Sequence, residues 1–273
     1  MKLASIHVYP VKACRGIALP EARVVARGLE HDRRFLVVDS NGLFVTQRRE
    51  SRLALVDTAI EGDSLRISSE GTGAVVLPLH PERGTHTTAR VWRDQVEAIE
   101  VPEGSRFFRD HLGADVRLVF MPDTSLRPVD PTRARPGDVV SFADGYPFLL
   151  ASEASLADLN ARLERPLPMA RFRPNLVFTG TEPYAEDRMA RVRIGELSFR
   201  GPKRCDRCAV TTIDPETGLA GPEPLRTLAT YRKEDGKVWF GMNLVHDGPG
   251  VLRLGDTAEV LEWHPSTPTH TPS

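Results

Sequence analysis

The chain has 273 residues, of which 36 are basic and 37 acidic, so its formal net charge is −1. At roughly 150 residues per domain this length suggests one large domain or two modest ones, and a charge so close to zero gives no electrostatic basis for a dedicated nucleic-acid binder. The three cysteines, the lack of any long apolar run and a start (MKLASIHVYPVKACRG) unlike a signal peptide predict a cytoplasmic enzyme or small-molecule binder without a membrane anchor.

Short runs rich in Val, Ile and Leu, interrupted by Gly and Pro, dominate the first 121 residues. Most of these runs have the length and composition of β-strands. The segments Asp39–Gly42 and Glu61–Asp63 have the residues of hairpin turns. We therefore expect a strongly bent sheet or barrel over residues 1–121. Its predicted strands are Leu3–Tyr9, Ala22–Ala26, Phe35–Val38, Leu53–Ile60, Ser64–Ser68, Val75–Leu79 and Val91–Val101.

Three helices and one long loop are predicted. A short helix at Ser105–Leu112 is followed by a proline-rich connecting loop at Pro122–Asp138. The clearest helix is Glu153–Glu164, because Ser152 is a suitable N-cap and leucines recur on one face. A weaker helix is predicted around Pro224–Tyr231.

Strand-like runs return in the second half of the chain. The tail 264–273 cannot bury an apolar surface and is predicted to be disordered. The sequence therefore predicts a mainly β protein with a few helices (α+β), made of two β-barrel-like domains at 1–121 and 122–263. The later predicted strands are Leu176–Thr179, Ala190–Ile194, Leu197–Arg200, Val210–Ile213, Val238–Leu244 and Ala258–Trp263.

The segment Lys203–Gly218 (KRCDRCAVTTIDPETG) carries the most chemically informative motif. Cys205 and Cys208 have Cys-x-x-Cys spacing between basic residues, which favour the thiolate that a nucleophile or metal ligand requires. Such a pair could bind zinc, exchange disulfides or present one thiolate to a soft metal. Structural zinc would need further Cys or His ligands that are not nearby, and a thioredoxin-like site would need a βαβ pattern. Two ordinary half-buried thiols are the alternative.

Possible donors to an anion occur at several places. Two arginines and an asparagine stand at the entrance of a predicted strand in Arg171–Asn175 (RFRPN), and Lys12 and Arg33 lie near the N-terminus. Backbone amides at Asp144–Pro147 could also meet a ligand. Read alone, these basic residues are better explained as surface side chains, and Asp144–Pro147 can be an ordinary turn. No nucleotide-binding glycine motif, HExxH or GxSxG occurs, so the residues alone predict an anion-binding β protein with one activated cysteine.

Five motifs together give the chain a resemblance to a known family, the MOSC-domain molybdoenzymes. The similarity is greatest to the bacterial YcbX-type proteins and the mitochondrial amidoxime-reducing component, and it extends over residues 1–263. It implies an N-terminal MOSC β-barrel domain at 1–121 and a MOSC domain at 122–263. The motifs, in the family's order, are Tyr9–Lys12 (YPVK) with Gly16, Asp32–Arg33, Ser152–Leu156, Arg171–Asn175 and Cys205–Gly218.

The resemblance implies a molybdenum cofactor, in which molybdenum is bound by a pterin dithiolene and by one protein cysteine. The matching position is Cys208, expected to be both metal ligand and catalytic residue, with Cys205 as a neighbour. Lys12 and Arg33 match positions that hold the phosphate of the pyranopterin, and Ala13 replaces a serine often found after the lysine. The other positions expected to bind the cofactor are Asp144, Gly145, Tyr146, Arg171, Arg173, Asn175 and Thr211.

The family's activity is the reduction of small N-hydroxylated compounds, such as amidoximes, hydroxylamines and N-hydroxylated bases, by removal of an oxygen atom at molybdenum. The resemblance therefore predicts a molybdenum-dependent oxidoreductase. No cysteine follows Cys208, so we expect electrons from a separate partner: a flavin reductase, a ferredoxin-like protein or a haem protein. The alternative is a protein that carries or delivers the cofactor or its sulfur without turnover.

Overall fold

The computed structural model describes residues 1–265, which contain 19 strands and three α-helices. The prediction of a mainly β protein with a few helices is confirmed. Within this described part of the chain, no helix is long and apolar enough to cross a membrane. Disorder is predicted for residues 264–273, and residues 266–273 lie outside the described part of the chain.

The helices and strands have the following bounds. The helices are α1 Pro102–Leu112, α2 Glu153–Asn160 and α3 Leu225–Leu228. The first strands are β1 Lys2–Val8, β2 Ile17–Leu19, β3 Glu21–Val25, β4 Gly28–Leu29, β5 Phe35–Asp39, β6 Asp57–Glu61, β7 Ser64–Ser69, β8 Gly73–Pro78, β9 His86–Val91, β10 Asp94–Glu100 and β11 Val116–Phe120. The later strands are β12 Phe148–Ser152, β13 Leu176–Thr179, β14 Met189–Ile194, β15 Leu197–Asp206, β16 Lys233–Glu234, β17 Lys237–His246, β18 Gly250–Arg253 and β19 Ala258–Trp263.

The largest sheet combines strands from both halves of the chain. Its order is β19-β14-β15-β17-β12-β13-β1-β2, and β16 pairs with β17 at one side. The N-terminal strand β1 pairs with β13, and in a smaller sheet β3 pairs with β18. Two further sheets, β5-β11-β10-β9 and β6-β7-β8, are built from the first half alone. Because β1 and β13 pair in antiparallel fashion, the residues that follow β1 lie next to those that precede β13.

Two apolar cores fix the segment that contains Lys12. Val11 and Cys14 are fully buried in a core of the first half that also contains Phe35 and Phe108. The strand before them, β1, contributes Leu3 and Ile6 to the core under the largest sheet. Lys12 is therefore held between two packed anchors, in a position set by the fold.

Three predicted strands differ in the structure. The predicted strand Leu53–Ile60 divides into a 3₁₀ helix at Ser51–Leu55 and β6. The predicted strand Val91–Val101 contains the last residue of β9, a turn at Trp92 and the whole of β10. The predicted strand Val210–Ile213 is a 3₁₀ helix at Ala209–Thr212. In that helix, each threonine hydroxyl donates to the carbonyl three residues earlier, at 3.0 and 2.8 Å. These local bonds stabilise a turn in place of a strand.

The helix predicted at Glu153–Glu164 ends at Asn160. The Asn160 side chain accepts a hydrogen bond from the Leu167 amide at 2.9 Å and donates to the Leu167 carbonyl at 3.1 Å. It therefore ties the end of the helix to the following turn, whereas the sequence pattern alone extended the helix to the next proline.

Replacement of Ser152 by alanine is expected to destabilise the fold. Ser152 Oγ accepts from the Ser155 amide at 3.1 Å and donates to Glu186 Oε2 at 3.0 Å, and Glu186 is fully buried. Loss of a helix cap and of one bond to a buried carboxylate should lower the free energy of unfolding by about 2–3 kcal/mol. Urea unfolding measures the change, and exposed Ser40→Ala should shift it by less than about 0.5 kcal/mol. Equal effects of the two substitutions would contradict this role.

Candidate functional site

A cavity of about 160 Å³ is lined by residues from both halves of the chain. We call it the cofactor cavity, after the role that the family resemblance predicts. Two of the predicted site residues, Arg171 and Thr211, are not among those that line it. The predicted residues that do line it are Lys12, Arg33, Asp144, Gly145, Tyr146, Arg173, Asn175 and Cys208.

The two cysteines of the motif have different surroundings in the cavity wall. Arg207 Nη1 donates to Cys205 Sγ at 3.0 Å, and Nη2 donates to the Phe172 carbonyl at 2.7 Å. Burial raises the pKa of the Cys205 thiol, and Arg207 offsets only part of that rise. Cys208 is exposed, as the residue that caps the 3₁₀ helix at 209–212. Cys208 is therefore the thiol of this pair that is open to a ligand.

Thr211 acts on Cys208 from behind the cavity wall. Its side chain is 1% exposed, and its hydroxyl donates to the Cys208 carbonyl at 3.0 Å. Thr211 thus positions the backbone that carries the free thiol.

In cofactor-free protein, iodoacetamide at pH 8 is expected to modify Cys208 and leave the other two cysteines largely intact. The thiolate is the reactive form. Burial raises the pKa of Cys14 to about 12 and also raises that of Cys205, so both hold few thiolates at pH 8. Peptide mass spectrometry identifies the modified residue, and Cys208→Ser should remove the fast reaction. Equally rapid labelling of Cys205 would contradict the described difference.

Arg33 is fixed by a buried network. Its Nη1 donates to Asp32 Oδ2 at 2.5 Å and to Asn175 Oδ1 at 2.8 Å, and Asp32 also accepts from the Tyr9 amide at 2.8 Å. Asp32 and Asn175 are each 1% exposed. Asn175 Nδ2 in turn donates to the His7 carbonyl at 3.1 Å. The network holds the Arg33 guanidinium at the cavity with little rotational freedom.

Arg173 presents a positive charge that no carboxylate of the described residues pairs with. Its guanidinium lies 4.4 Å from the ring centre of Tyr9, on which Arg33 also stacks at 4.3 Å. Among residues 1–265 no carboxylate forms an ion pair with it. Its backbone is left-handed (φ 55°), as are those of Arg33 (47°) and Ala13 (73°) at the same cavity. Such conformations cost about 1–3 kcal/mol each and concentrate at functional sites.

Lys12 and Asp144 form an ion pair at the cavity, with Nζ and Oδ1 2.6 Å apart. Lys12 is only 11% exposed and Asp144 is 73% exposed. Burial lowers the pKa of Lys12 even though Asp144 opposes the change. The protein around Asp144 acts to raise its pKa, but the Lys12 ammonium and the Arg33 guanidinium outweigh that effect and hold the pKa well below its ordinary value. The carboxylate therefore stays ionised at neutral pH and ties the loop at 144–146 to Lys12.

Several residues of the site were not predicted from the sequence. Gln47, Arg48 and Asn243 line the cavity, and no local motif marks them. Arg127 is 4% exposed and donates to the Asp144 carbonyl at 3.0 Å, which fixes the loop from behind. Arg207 lies within the cysteine motif, as one of the basic residues beside the two cysteines.

The chemistry of the cavity fits an anionic ligand that carries a thiophilic atom. Five basic side chains line it (Lys12, Arg33, Arg48, Arg173 and Arg207), against two acidic ones, Asp144 and Asp206. Within residues 1–265 no group of three or more His, Cys, Asp and Glu side chains is arranged to hold a metal ion. The exposed Cys208 thiol supplies one soft ligand, and the basic residues can bind a phosphate.

Comparison with known proteins decides the family. Residues 1–115 match the MOSC N-terminal beta barrel domain, and residues 137–259 match the MOSC domain. The chain is 37% identical over 284 residues to mitochondrial amidoxime-reducing component 1 of Homo sapiens, which covers 95% of this chain and 82% of that protein. The chain belongs to the family of mitochondrial amidoxime-reducing components. The five sequence motifs predicted this family, and the comparison confirms the prediction.

Other members of the amidoxime-reducing component family match almost as fully. The Mus musculus component 1 is 36% identical over 282 residues, covering 95% of this chain and 82% of the relative. The Rattus norvegicus component 2 is 32% identical over 275 residues, covering 93% of this chain and 81% of the relative. The ranges 1–115 and 137–259 that match the two family models include all the residues that line the cofactor cavity.

Proposed function

We propose that this protein is a molybdenum-cofactor-dependent reductase of small N-hydroxylated compounds. Family membership supports a molybdenum-dependent reductase, since the relatives are named for the reduction of amidoximes. The observation that carries the proposal is the exposed Cys208 thiol in a cavity with five basic side chains. A thiophilic metal with an anionic organic ligand matches both features.

Different residues of the cavity are proposed to contact the metal, the phosphate and the pterin of the cofactor. Cys208 would bind the metal, and Lys12, Arg33 and Arg173 would bind the phosphate. The loop at 144–146 would contact the pterin, with Arg127 and Lys12 holding that loop in place. Asn175 would act by fixing Arg33. We propose no cofactor contact for Arg171, which lines a neighbouring cavity.

When bound, the cofactor supplies two-electron removal of an oxygen atom. Reduction of an amidoxime to an amidine consumes two electrons and two protons and releases one water molecule. The chain's own residues orient the reactants and set the charge around them. Neither Asp144 nor Cys205 supplies a proton at neutral pH. Asp144 is already ionised, and Cys205 keeps its thiol proton because burial raises its pKa.

The proposed electron donor is a separate protein, either a flavin reductase, a ferredoxin-like protein or a haem protein. A chemical reductant can replace this partner in a test of the reaction. Protein purified from cells that make the cofactor, reduced with dithionite and mixed with benzamidoxime, should form benzamidine over many turnovers, measured by chromatography. Bound cofactor that is transferred to an acceptor protein without benzamidine formation would instead identify a cofactor carrier.

A further inference from the structure

A second cavity, of about 270 Å³, lies beside the cofactor cavity. Gln47, Arg173 and Val210 line both cavities and so form the wall between them. The proposed reductase reaction makes no use of the second cavity. Its own residues come from the N-terminal segment, from the loop before β13 and from the turn at 213–216.

The lining of the second cavity is largely apolar with a basic side. Three arginines, at positions 15, 171 and 173, face one carboxylate, Glu216. Arg15 also pairs with Asp57, and Arg171 pairs with Asp214, so among the described residues only Arg173 of these three has no ion pair. The apolar residues include Ala18, Ala54, Met169, Pro174 and Ile213.

Arg171 is the side chain that the structure leaves incompletely satisfied. It is 8% exposed, and its Nη2 donates to Asp214 Oδ2 at 2.9 Å, but its Nε and Nη1 have no hydrogen-bond partner. A buried donor without a partner is destabilising, and native proteins contain few of them. His7 lines the same cavity and also has an unpaired buried atom, Nδ1.

Arg15 is different, because its hydrogen bonds are made within the protein. Its Nη1 donates to Asp57 at 3.0 Å, and its Nη2 and Nε donate to the Pro215 carbonyl at 2.8 and 3.2 Å. Arg15 thus ties the turn at 213–216 to the first half of the chain and closes one side of the cavity. The donors that remain for a ligand belong to Arg171, since Arg173 is proposed to bind the cofactor phosphate.

We propose that the second cavity is a binding site for a small organic carboxylate. The carboxylate oxygens accept from the unpaired donors of Arg171, and the apolar body lies against Ala18, Met169 and Ile213. An arginine binds a carboxylate through paired, charge-assisted hydrogen bonds. The apolar walls favour an organic anion over inorganic phosphate or sulfate, which would leave those walls without contacts. This site is separate from the proposed reductase chemistry.

Benzoate is the probe for this site, titrated calorimetrically into the purified, cofactor-loaded protein. Arg171→Met should weaken benzoate binding at least about tenfold, the effect of losing a charged hydrogen bond. Arg48→Met is the matched control, because Arg48 lines the cofactor cavity and not the second cavity. It should leave benzoate affinity unchanged. Sulfate should bind more weakly than benzoate.

A second variant keeps the test decisive if Arg171→Met does not fold. Ala18 is exposed in β2 and lines the cavity, so Ala18→Phe should fill the cavity and weaken benzoate binding without touching Arg171. Equal binding of benzoate to the wild type, Arg171→Met and Ala18→Phe would overturn the proposal. So would loss of binding in Arg48→Met alone, or no binding to the wild type up to about 10 mM.

Discussion

Cys208→Ser is expected to abolish benzamidoxime reduction, whereas Cys205→Ser should retain substantial activity. Cys208 is the exposed thiol in the cavity wall, and a serine hydroxyl is a poor substitute for a soft thiolate ligand. We expect a loss of at least about a thousandfold in turnover, which corresponds to roughly 4 kcal/mol in the barrier. Cys205 interacts with Arg207 and is proposed only as a neighbour of the metal. Its replacement should cost no more than about tenfold.

The two serine variants are matched controls for each other, because the substituted cysteines lie three residues apart in the same motif. Both remove one thiol and both leave Arg207 in place. Steady-state benzamidine formation, normalised to the molybdenum content of each variant, separates loss of chemistry from loss of cofactor. Equal losses in the two variants would contradict the assignment of Cys208 as the single protein ligand.

Arg173→Met is expected to reduce cofactor retention with little effect on stability. Among the described residues the Arg173 guanidinium has no carboxylate partner, so its removal leaves no buried charge uncompensated. If it binds the phosphate, loss of one charge-assisted contact should lower cofactor affinity by about ten- to a hundredfold. Pterin and molybdenum content after gel filtration measures retention. The melting temperature of the cofactor-free variant should stay within about 2 °C of that of the cofactor-free wild type.

Arg162→Met is the control for Arg173→Met. Arg162 is 49% exposed and pairs with Asp158 on α2, away from the residues that line the cavity. It should keep both its cofactor and its stability. If Arg173→Met retained the cofactor as fully as Arg162→Met does, Arg173 would have no part in phosphate binding.

Eight of the predicted site residues line one cavity, but the sequence did not predict how the strands pair to bring them together. Local strand patterns identified β13 and β19 at their observed bounds, because short runs of β-branched and other apolar residues favour strands. They could not predict that β1 pairs with β13, since strand pairing between distant segments leaves no local pattern. That pairing is what brings Lys12 and Arg33 to Asn175, and only the family resemblance grouped these residues in advance.

The differences between prediction and structure have local physical causes. Thr211 and Thr212 have the composition of a strand, but their hydroxyls bond to nearby carbonyls and form a 3₁₀ turn. Arg171 and Arg173 stand two residues apart, yet only Arg173 lines the cofactor cavity. Arg173 adopts a left-handed backbone (φ 55°) next to a short 3₁₀ helix at 169–171. In a strand, residues 171 and 173 would face the same side, and the sequence pattern does not reveal the backbone turn that separates them.

The most direct test of this account is the molybdenum and pterin content of the wild-type protein, purified from cells that make the cofactor. Elemental analysis and detection of the oxidised pterin give the amount of each per polypeptide. The account predicts nearly one molybdenum and one pterin per chain, released when the protein unfolds. Protein that contains neither, although the cells load other molybdenum enzymes, would contradict the assignment of the cavity at Cys208 to the molybdenum cofactor.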